Sequence, residues 1–221
     1  MMSKSSTDVA LAKRNETLEN LQLQVESILA GRALSARVFR GELAFTVAVE
    51  DVPGILLKLR DESGGSFSQL TELTAVDYPS RPKRFELVYQ LLSVRLNQRL
   101  RLLAPVADGE IVPSVSHIFS SAIWSEREVW DMFGIFFSGH GDLRRLLTDY
   151  GFEGHPLRKD FPLTGTVETR YDDSEKRVVY EPVSLTQEFR DFDFMSPWEG
   201  MQTAMRQDDP VSGPGKAEGE E

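Results

Sequence analysis

The sequence predicts an α+β fold, in which helices pack on a mixed or antiparallel sheet and a long extended C-terminal arm follows the domain. Three observations support this prediction. Apolar and polar residues alternate in short runs between residues 37 and 105, as they do in strands with one buried face. Apolar residues at helical spacing stand before and after these runs. Beyond Phe136 both periodicities end, and glycine and proline become frequent.

A first helix is predicted to start at Glu16 and to end before Gly31, a residue type suited to the end of a helix. The pattern that predicts it consists of Leu18, Leu21, Val25, Ile28 and Leu29. The preceding residues, 1–15, carry no such pattern and are predicted to form a flexible N terminus.

A hairpin and a short helix follow. Residues 37–39 and 43–49 are predicted to pair as strands, with Arg40-Gly41 as the turn between them. Pro53-Gly54 is predicted to open a helix that ends near Ser63-Gly64-Gly65.

Three further strands are predicted at residues 68–76, 85–94 and 99–105. The turn after the first of them lies at Tyr78–Pro82, and Asn97-Gln98 closes a second hairpin. Together with the first hairpin, these runs supply enough strands for one sheet.

A helical region is predicted from Val115 to Phe133, and its second half carries a strong start signal. Ser125 as N-cap and Glu128 three residues later form a capping box. Trp124 and Val129 have the spacing of a hydrophobic staple around the same cap. The sequence therefore predicts a helix that starts at Ser125.

Gly134 is placed to end this helix. Glu126 and Glu128 then lie in its first turn, where carboxylates favour the positive end of the helix dipole. A purely structural role at the helix start is therefore an alternative to any binding role for these two residues.

The C-terminal third contains too few apolar residues for a second core. Its aromatic residues alternate with acids, a pattern typical of a segment that binds a partner through large rings. The candidate anchors are Phe189, Phe192, Phe194 and Trp198. The predicted organisation is a flexible N terminus at 1–15, an interaction domain at 16–164 with a signature segment at 125–163, an extended partner-binding arm at 165–206, and a disordered acidic tail at 207–221.

Composition excludes several classes of protein. The 221 residues contain no cysteine, which excludes disulfides, thiolate-ligated iron–sulfur clusters and cysteine zinc sites. A net charge of −10 argues against a nucleic-acid-binding protein. No apolar run approaches the roughly 18 residues of a membrane helix, and the N terminus lacks the apolar region of a secretory signal. These features favour a bacterial cytoplasmic protein that reaches a membrane only through partners.

One stretch departs from the acidic average. Residues 81–101 contain six basic residues and one acid, Glu86. Bases that alternate with apolar residues are typical of a solvated sheet face, and an acidic protein partner is the alternative.

The signature segment, residues 125–163, is the most distinctive part of the chain, because charged, aromatic and glycine residues are densely mixed in it. Such a segment either pairs its charges internally or presents them to a partner. The second hypothesis predicts a subunit interface made of Glu126, Arg127, Glu128, Asp131, His140, Asp142, Arg144, Arg145, Arg158, Lys159 and Asp160, together with Phe189, Phe192, Phe194 and Trp198 of the arm.

A metal-dependent hydrolase is a remote alternative. His140, Asp142 and His155 could be gathered with Asp149 and Asp160 into a metal site. Their spacings match no recognised ligand motif, and the glycines beside them suit turns equally well. The residues alone therefore favour an interaction protein without catalytic, cofactor-binding or metal-binding residues.

The same segment resembles a known family. Its motif runs from Glu126 to Ile135 and continues through His140, Arg144 and Leu146-Leu147, then through residues 145–152 and 154–163. This string is similar to the 30 kDa subunit of respiratory NADH:quinone oxidoreductase (complex I), in its bacterial form. The resemblance covers residues 35–165, and residues 192–198 are similar to the tail of that family.

The resemblance implies a structural docking subunit of the peripheral arm of a proton-translocating enzyme. Such a subunit holds no cofactor, while FMN and iron–sulfur clusters in partner subunits carry electrons from NADH to quinone. The implied partners are the complex I core subunits, chiefly the quinone-site and iron–sulfur subunits, at the cytoplasmic face of the bacterial inner membrane. An equivalent docking subunit of a membrane-bound hydrogenase-type complex is the alternative. In either complex, Arg127→Glu is expected to disturb assembly more than the fold of the isolated domain.

Overall fold

A computed structural model of the chain describes residues 6–62 and 66–185. The described residues form two compact units, divided between Thr166 and Val167. The first unit contains a five-stranded sheet and three α-helices, and the second contains a two-stranded hairpin. The predicted α+β class with a mixed sheet is confirmed for the first unit.

The first elements of the fold are a long helix and a hairpin. Helix α1 covers Ser6–Leu29, so it begins ten residues before the predicted start at Glu16. Strands β1 (Ala33–Phe39) and β2 (Glu42–Val47) pair antiparallel. Arg40 and Gly41 between them both have positive φ angles, 50° and 77°. Positive φ at both central positions is the geometry of the two-residue turn that favours a hairpin, so this prediction is confirmed.

Helix α2 (Val52–Asp61) and three strands complete the sheet. Pro53 stands in the first turn of α2, as predicted. Strands β3 (Gln69–Asp77), β4 (Phe85–Ser93) and β5 (Gln98–Val106) match the three predicted runs within one or two residues. The spatial order is β1-β2-β5-β4-β3, and β2–β5 is the parallel pair, which makes the sheet mixed.

The prediction of a helix that starts at Ser125 is wrong. After a short strand β6 (Val112–Pro113), residues 115–121 form turns, and helix α3 covers Ala122–Phe133. Ser121 is the N-cap residue, and its hydroxyl donates to the carbonyl of Leu70 on β3. Ser125 already has a helical position and donates to the carbonyl of Ser121, four residues back. The capping-box pattern failed because the packing of the preceding turns on β3 sets the helix start.

The core lies between one face of the sheet and the three helices. It joins alternate residues of every central strand to apolar residues of α1, α2 and α3, and Tyr89, Phe45, Phe67 and Phe85 are among its largest fully buried side chains. A second, small cluster of Ala44, Val88 and Leu103 lies on the opposite face of the sheet.

The basic stretch lies on this opposite face and in the loops at its ends. Arg101 pairs with Glu42 at 2.7 Å, and Arg81 pairs with Glu86 at 3.2 Å. The alternation of bases along β5 therefore follows the uncovered face of a sheet, which is the simpler of the two interpretations.

Beyond α3 the chain forms β7 (Phe137–Ser138), which pairs in parallel with β6, and then an irregular loop to residue 166. In the second unit, β8 (Val167–Asp172) and β9 (Arg177–Pro182) form an antiparallel hairpin. The first part of the predicted arm thus folds back on itself instead of running straight. The arm from residue 186, with Phe189, Phe192, Phe194 and Trp198, and the predicted tail lie outside the described residues.

Candidate docking surface

The signature segment folds around helix α3. Its first part is the helix itself, and its second part, residues 139–163, is a loop without regular structure. Gly134 ends the helix in the left-handed conformation, with φ 75°, as the sequence predicts. The contacts between the loop and the helix explain why the segment is rich in charges.

Asp131 is the centre of these contacts, and its side chain is fully buried. One carboxylate oxygen accepts hydrogen bonds from three consecutive main-chain amides, those of Leu146, Leu147 and Thr148, at 3.0, 2.8 and 3.0 Å. The other oxygen accepts from the hydroxyl of Thr148 at 2.7 Å and from Arg145 at 2.8 Å. A single carboxylate therefore fixes the turn at residues 146–148.

These hydrogen bonds decide the protonation of Asp131. Burial alone would raise the pKa of its carboxyl group, because it disfavours the charged form. The hydroxyl of Thr148 and the amides of residues 146–148 outweigh burial and hold the pKa well below its usual range. Asp131 is therefore ionised wherever the protein is folded at ordinary pH.

Arg127 also acts inside the segment. It is buried, and its guanidinium donates to the carbonyls of Arg144 and Arg145 at 3.1 and 3.0 Å. The guanidinium also stacks on the ring of Trp124, 5.1 Å from its centroid. Arg127 and Asp131 thus hold adjacent parts of the same loop, one through carbonyls and the other through amides.

The residues after α3 also supply hydrogen-bond donors to its C-terminal end. The last four carbonyls of a helix have no partners within the helix. Gly134 donates its amide to Trp130. The ring of His155 bonds the carbonyl of Asp131 at 2.9 Å, and the amide of Leu157 donates to Met132 at 3.1 Å. Arg158 donates to the carbonyl of Phe133 at 2.6 Å. All four carbonyls have partners, so residues 155–158 are attached to the C-terminal end of α3.

Two arginines connect the end of the loop to the sheet. Arg84 pairs with Asp77 at 2.7 Å and with Asp160 at 3.0 Å, and the main-chain amide of Lys159 donates to Asp77 at 2.8 Å. The hydrogen bond from Arg84 lowers the pKa of Asp77 despite its burial. Arg158 reaches Asp108 at 3.2 Å. The charges of Arg158 and Asp160 are therefore used within the chain.

Glu126 is buried for a different reason. Its carboxylate accepts from the hydroxyl of Ser114 and from the amide of Val115, both at 2.7 Å. Burial raises its pKa more than these two hydrogen bonds lower it. Glu126 anchors the turn before α3 to the helix, and it lies in the second turn of α3, not in the first turn that the sequence predicted.

The remaining predicted interface residues lie at the surface. His140 bonds the carbonyl of Ile123 at 3.0 Å through Nε2 and accepts from the amide of Asp142 at 3.0 Å through Nδ1. Asp142 and Arg144 form an exposed pair at 2.9 Å. Glu128 and the side chain of Lys159 are also exposed. The predicted interface residues thus fall into two groups: charged residues that hold the loop on the rest of the domain, and charged residues that are exposed at the surface.

The two histidines of the hydrolase alternative do not meet. His140 is tied to the start of α3 at Ile123 and His155 to its end at Asp131, eight residues apart, which corresponds to about 12 Å of helix. Among the residues that the structure describes, no group of three or more His, Cys, Asp or Glu side chains is placed to hold a metal ion. The geometry gives this alternative no support.

Large apolar side chains close in sequence to these charged residues are exposed, and the sequence prediction did not name them. Tyr150 is 96% exposed and Leu163 is 88% exposed. The same segment and its flanks also expose Trp124, Phe136, Leu147 and Leu157. The main-chain amides of Leu147 and Leu157 donate hydrogen bonds toward α3, while their side chains remain exposed. Apolar residues close in sequence to the charged residues of this segment were the sequence feature that could have indicated these side chains.

Comparison with known proteins gives this surface a context. Residues 45–167 match the family model described as the 30 kDa subunit of respiratory-chain NADH dehydrogenase. This match covers the sheet from β2 onward, α3 and the whole signature segment. The chain belongs to this family.

Relatives that are named as subunits of NADH-quinone oxidoreductase match over most of the chain. The protein of Rhodobacter capsulatus is 53% identical over 195 residues, which are 88% of this chain and 98% of the relative. The protein of Rhodospirillum rubrum is 52% identical over 207 residues, which are 94% and 96% of the two chains. The protein of Ruegeria sp. (strain TM1040) is 56% identical over 187 residues, which are 85% and 93%.

A solved structure has a similar fold. It belongs to the membrane-bound sulfane sulfur reductase, an archaeal respiratory membrane complex. The TM-score is 0.55 at 29% identity, and the similarity covers 64% of this chain and 85% of the other. Within residues 6–62 and 66–185 of the 30 kDa family member described here, no helix has the length and apolar content to cross a bilayer.

Proposed function

We propose that this member of the 30 kDa family is a docking subunit in the peripheral arm of a proton-translocating NADH:quinone oxidoreductase. It holds core subunits in place and takes no part in the chemistry through residues of its own. The observation that supports the proposal is that charged and apolar residues of the signature segment have different roles. Its buried charges hold the loop on α3 and on the sheet, and large apolar side chains of the same segment are exposed beside these contacts.

The physical reason is the energy of association. Large side chains contribute most to binding when they are exposed before association and held in place, because little conformational entropy is then lost. Leu147 lies in the turn that Asp131 binds through three amides, and Tyr150 follows this turn by two residues. The main chain that carries Leu147 is therefore held in place before any partner arrives, which supports a docking role for this surface.

The proposal extends to partners and cofactors. The chain has no cysteine for an iron–sulfur cluster, and its family relatives are subunits of NADH-quinone oxidoreductase. We place FMN and the iron–sulfur clusters in partner subunits, and we place this chain against the quinone-site and iron–sulfur subunits. The proposed location is peripheral, at the cytoplasmic face of the bacterial inner membrane.

The structural similarity to a subunit of an archaeal respiratory membrane complex favours one second candidate. In that case the same docking domain serves a membrane-bound complex of the hydrogenase type. The relatives at 52–56% identity favour the NADH-quinone oxidoreductase, since the archaeal chain is 29% identical.

The decisive experiment is extraction of native membranes in mild detergent, with the full chain tagged at its C terminus, followed by mass spectrometry of the proteins that co-purify. Flavin- and iron–sulfur-bearing NADH dehydrogenase subunits, with NADH:quinone activity in the same fraction, are expected. Recovery with hydrogenase subunits would establish the second candidate, and recovery of the chain alone would refute both.

The surface itself is tested by Leu147→Ala combined with Tyr150→Ala. Complex recovery is expected to fall, while the unfolding of the free chain changes by less than about 0.5 kcal/mol, as for other exposed positions. Leu34→Ala on β1 is the matched control, because Leu34 is also an exposed leucine but lies outside the signature segment. Equal losses for the two sets would show that the segment is not the docking surface.

A further inference from the structure

The hairpin of the second unit has two chemically distinct faces. Residues directly opposite each other on β8 and β9 share a face of the hairpin. The pairs Val167↔Pro182, Thr169↔Tyr180 and Tyr171↔Val178 therefore place six uncharged side chains on one face. The pairs Glu168↔Glu181, Arg170↔Val179 and Asp172↔Arg177 place five charged side chains and one valine on the other.

Most charges of the charged face have partners within the hairpin. Arg170 pairs at 3.1 Å with Glu181, its diagonal neighbour on β9, and the same guanidinium lies 3.8 Å from Asp172. Asp172 also accepts hydrogen bonds from the amides of Ser174 and Glu175 in the turn. Four of the five charged residues of this face, Arg170, Asp172, Arg177 and Glu181, therefore have partners of opposite charge within the hairpin.

The uncharged face has the opposite property, because all six of its residues are exposed. Tyr180 is 61% exposed, and Val167, Tyr171 and Val178 each expose about half of their surface or more. An isolated two-stranded hairpin is at best marginally stable in water and normally needs an apolar surface against it. We therefore expect the uncharged face to be covered by another apolar surface.

We propose that the uncharged face of the β8–β9 hairpin, made of Val167, Thr169, Tyr171, Val178, Tyr180 and Pro182, docks flat on an apolar, uncharged surface of a neighbouring protein subunit. This inference rests on the proposed function, since the partner is a subunit of the same respiratory complex. It adds to that function a second contact, made by residues outside the signature segment, and the chemistry that the partner presents there.

Charge decides between a protein and a membrane as the occupant. Residues 167–182 contain five acidic and three basic residues, a net charge of −2. The surface of a bacterial membrane is anionic and attracts basic segments, so an acidic hairpin is repelled from it. Tyrosine rings with an apolar body and a polar tip are typical of protein interfaces, where the hydroxyl remains at the rim.

Area decides between a second copy and a larger complex. Six residues extend over about 20 Å and two strands over about 10 Å, so the face covers on the order of 200 Å². A stable interface needs about 800 Å² on each partner. The hairpin is therefore too small to hold a dimer alone, and it fits a partner that the rest of the chain already binds.

Two adjacent valines provide a matched test. Val178→Lys places a charge on the uncharged face, and Val179→Lys makes the same change one residue later on the charged face. The full-length tagged variants replace the native chain, and the recovered complex is measured after extraction in mild detergent. Val178→Lys is expected to lower recovery about tenfold, equivalent to about 1.4 kcal/mol, and Val179→Lys less than about twofold.

Further measurements exclude unfolding and other occupants. Hydrogen exchange of residues 167–182 in the free chain is compared between variants, and Thr169→Lys repeats the change at a small, exposed residue of the same face. The proposal is overturned if Val178→Lys and Val179→Lys have equal effects in a complex that assembles normally with the wild-type chain. It is also overturned if Val178→Lys instead abolishes flotation with phosphatidylethanolamine–phosphatidylglycerol vesicles, or dissociates a dimer of the free chain. Failure of the wild-type chain to recover any complex would instead refute the proposed function.

Discussion

Asp131 stabilises the folded chain through its charge, and the first prediction concerns its removal. Asp131→Asn keeps the size of the side chain but leaves one acceptor where the three amides, the hydroxyl and Arg145 need two ionised oxygens. We expect a loss of about 3 kcal/mol in the free energy of unfolding at pH 7, typical of a buried charged group that loses its partners. Urea unfolding of the free chain measures it.

The pH dependence has a definite sign. The pKa of Asp131 is lower in the folded chain than in the unfolded chain, so its contribution is complete above about pH 4 and is lost as the pH falls toward the folded value. The stability difference between the wild type and Asp131→Asn should therefore shrink on acidification below about pH 4. A difference that stays constant from pH 7 to pH 3 would contradict the ionised role.

Glu126 has the opposite sign. Its pKa is raised in the folded chain, so ionisation above the unfolded value of about 4.3 costs stability as the pH rises. Glu126→Gln removes this cost. We expect the stability of the variant, relative to the wild type, to increase between pH 4 and pH 7 in urea titrations. A relative stability that falls over this range would show that the carboxylate is better stabilised when charged than when neutral.

Arg127 provides a third prediction at this scale. The sequence predicted that Arg127→Glu would disturb assembly more than the isolated fold. The geometry predicts the reverse, because a buried carboxylate would face the carbonyls of Arg144 and Arg145. We expect a loss of about 3–5 kcal/mol in the unfolding of the free chain, against about 1 kcal/mol for Arg127→Lys, which keeps the charge but loses the planar fork.

Thermal unfolding of the free chain and recovery of the assembled complex distinguish the two expectations for Arg127. An unchanged melting temperature with lost assembly would restore the interface role of this side chain.

At the scale of the element, the end of helix α3 depends on one residue without a side chain. A Cβ at Gly134 would lie 2.6 Å from the ring of His155 and 2.7 Å from the guanidinium of Arg158, the two side chains that bond the last carbonyls of the helix. Gly134→Ala should cost about 1–2 kcal/mol for the left-handed backbone. Displacement of the two capping side chains adds about as much again.

Gly139→Ala is the control for this prediction. Gly139 has a similar φ of 80°, but nothing lies within 4 Å of the added Cβ. Its variant should therefore lose only the backbone contribution. Equal losses in urea unfolding for the two variants would show that contacts at the helix end contribute nothing.

The elements also show what the sequence could and could not predict. The strands were predictable because the alternation of residues such as Leu43, Phe45 and Val47 reflects one buried face, which is a local pattern. The start of α3 was not, because the hydroxyl of Ser121 bonds Leu70 on β3, 51 residues earlier in the chain. Capping patterns are local, and this contact is not.

For the candidate docking surface, the sequence indicated a segment but not the role of each residue in it. The density of charges distinguished residues 125–163 from the rest of the chain, and the family that the resemblance indicated is confirmed. The sequence did not distinguish charged residues that hold the loop from charged residues that are exposed, because Arg127 and Arg144 are the same residue type in similar surroundings. One is buried on main-chain carbonyls and the other is exposed beside Asp142.

At the scale of the whole molecule, the two units predict independent folding of the first. The residues of the main core extend from Leu21 to Phe137, all within the unit that ends at Thr166. A chain that ends at Thr166 should therefore unfold in urea with a midpoint close to that of the full chain. Its recovery in the complex should nevertheless fall, because the hairpin and the following segment are missing.

The comparison of the two chains separates stability from assembly. A midpoint that drops by more than about 1 M would show that the second unit supports the first, since such a shift corresponds to about 1–3 kcal/mol for a small protein. Full assembly of the shortened chain would show that the signature segment suffices.

The contacts that hold the signature segment have a consequence for the comparison of sequences. Arg127, His155 and Arg158 bind main-chain carbonyls, and Asp131 binds main-chain amides. A peptide group is the same whichever residue contributes it, so these main-chain contacts do not select for compensating substitutions. The exceptions are the side-chain bonds of Asp131 to Arg145 and Thr148. Statistical searches for pairs of alignment columns that vary together should therefore recover the strand pairs of the sheet well. The same searches should miss the main-chain contacts that fix this loop, even where each of the four residues is itself constant.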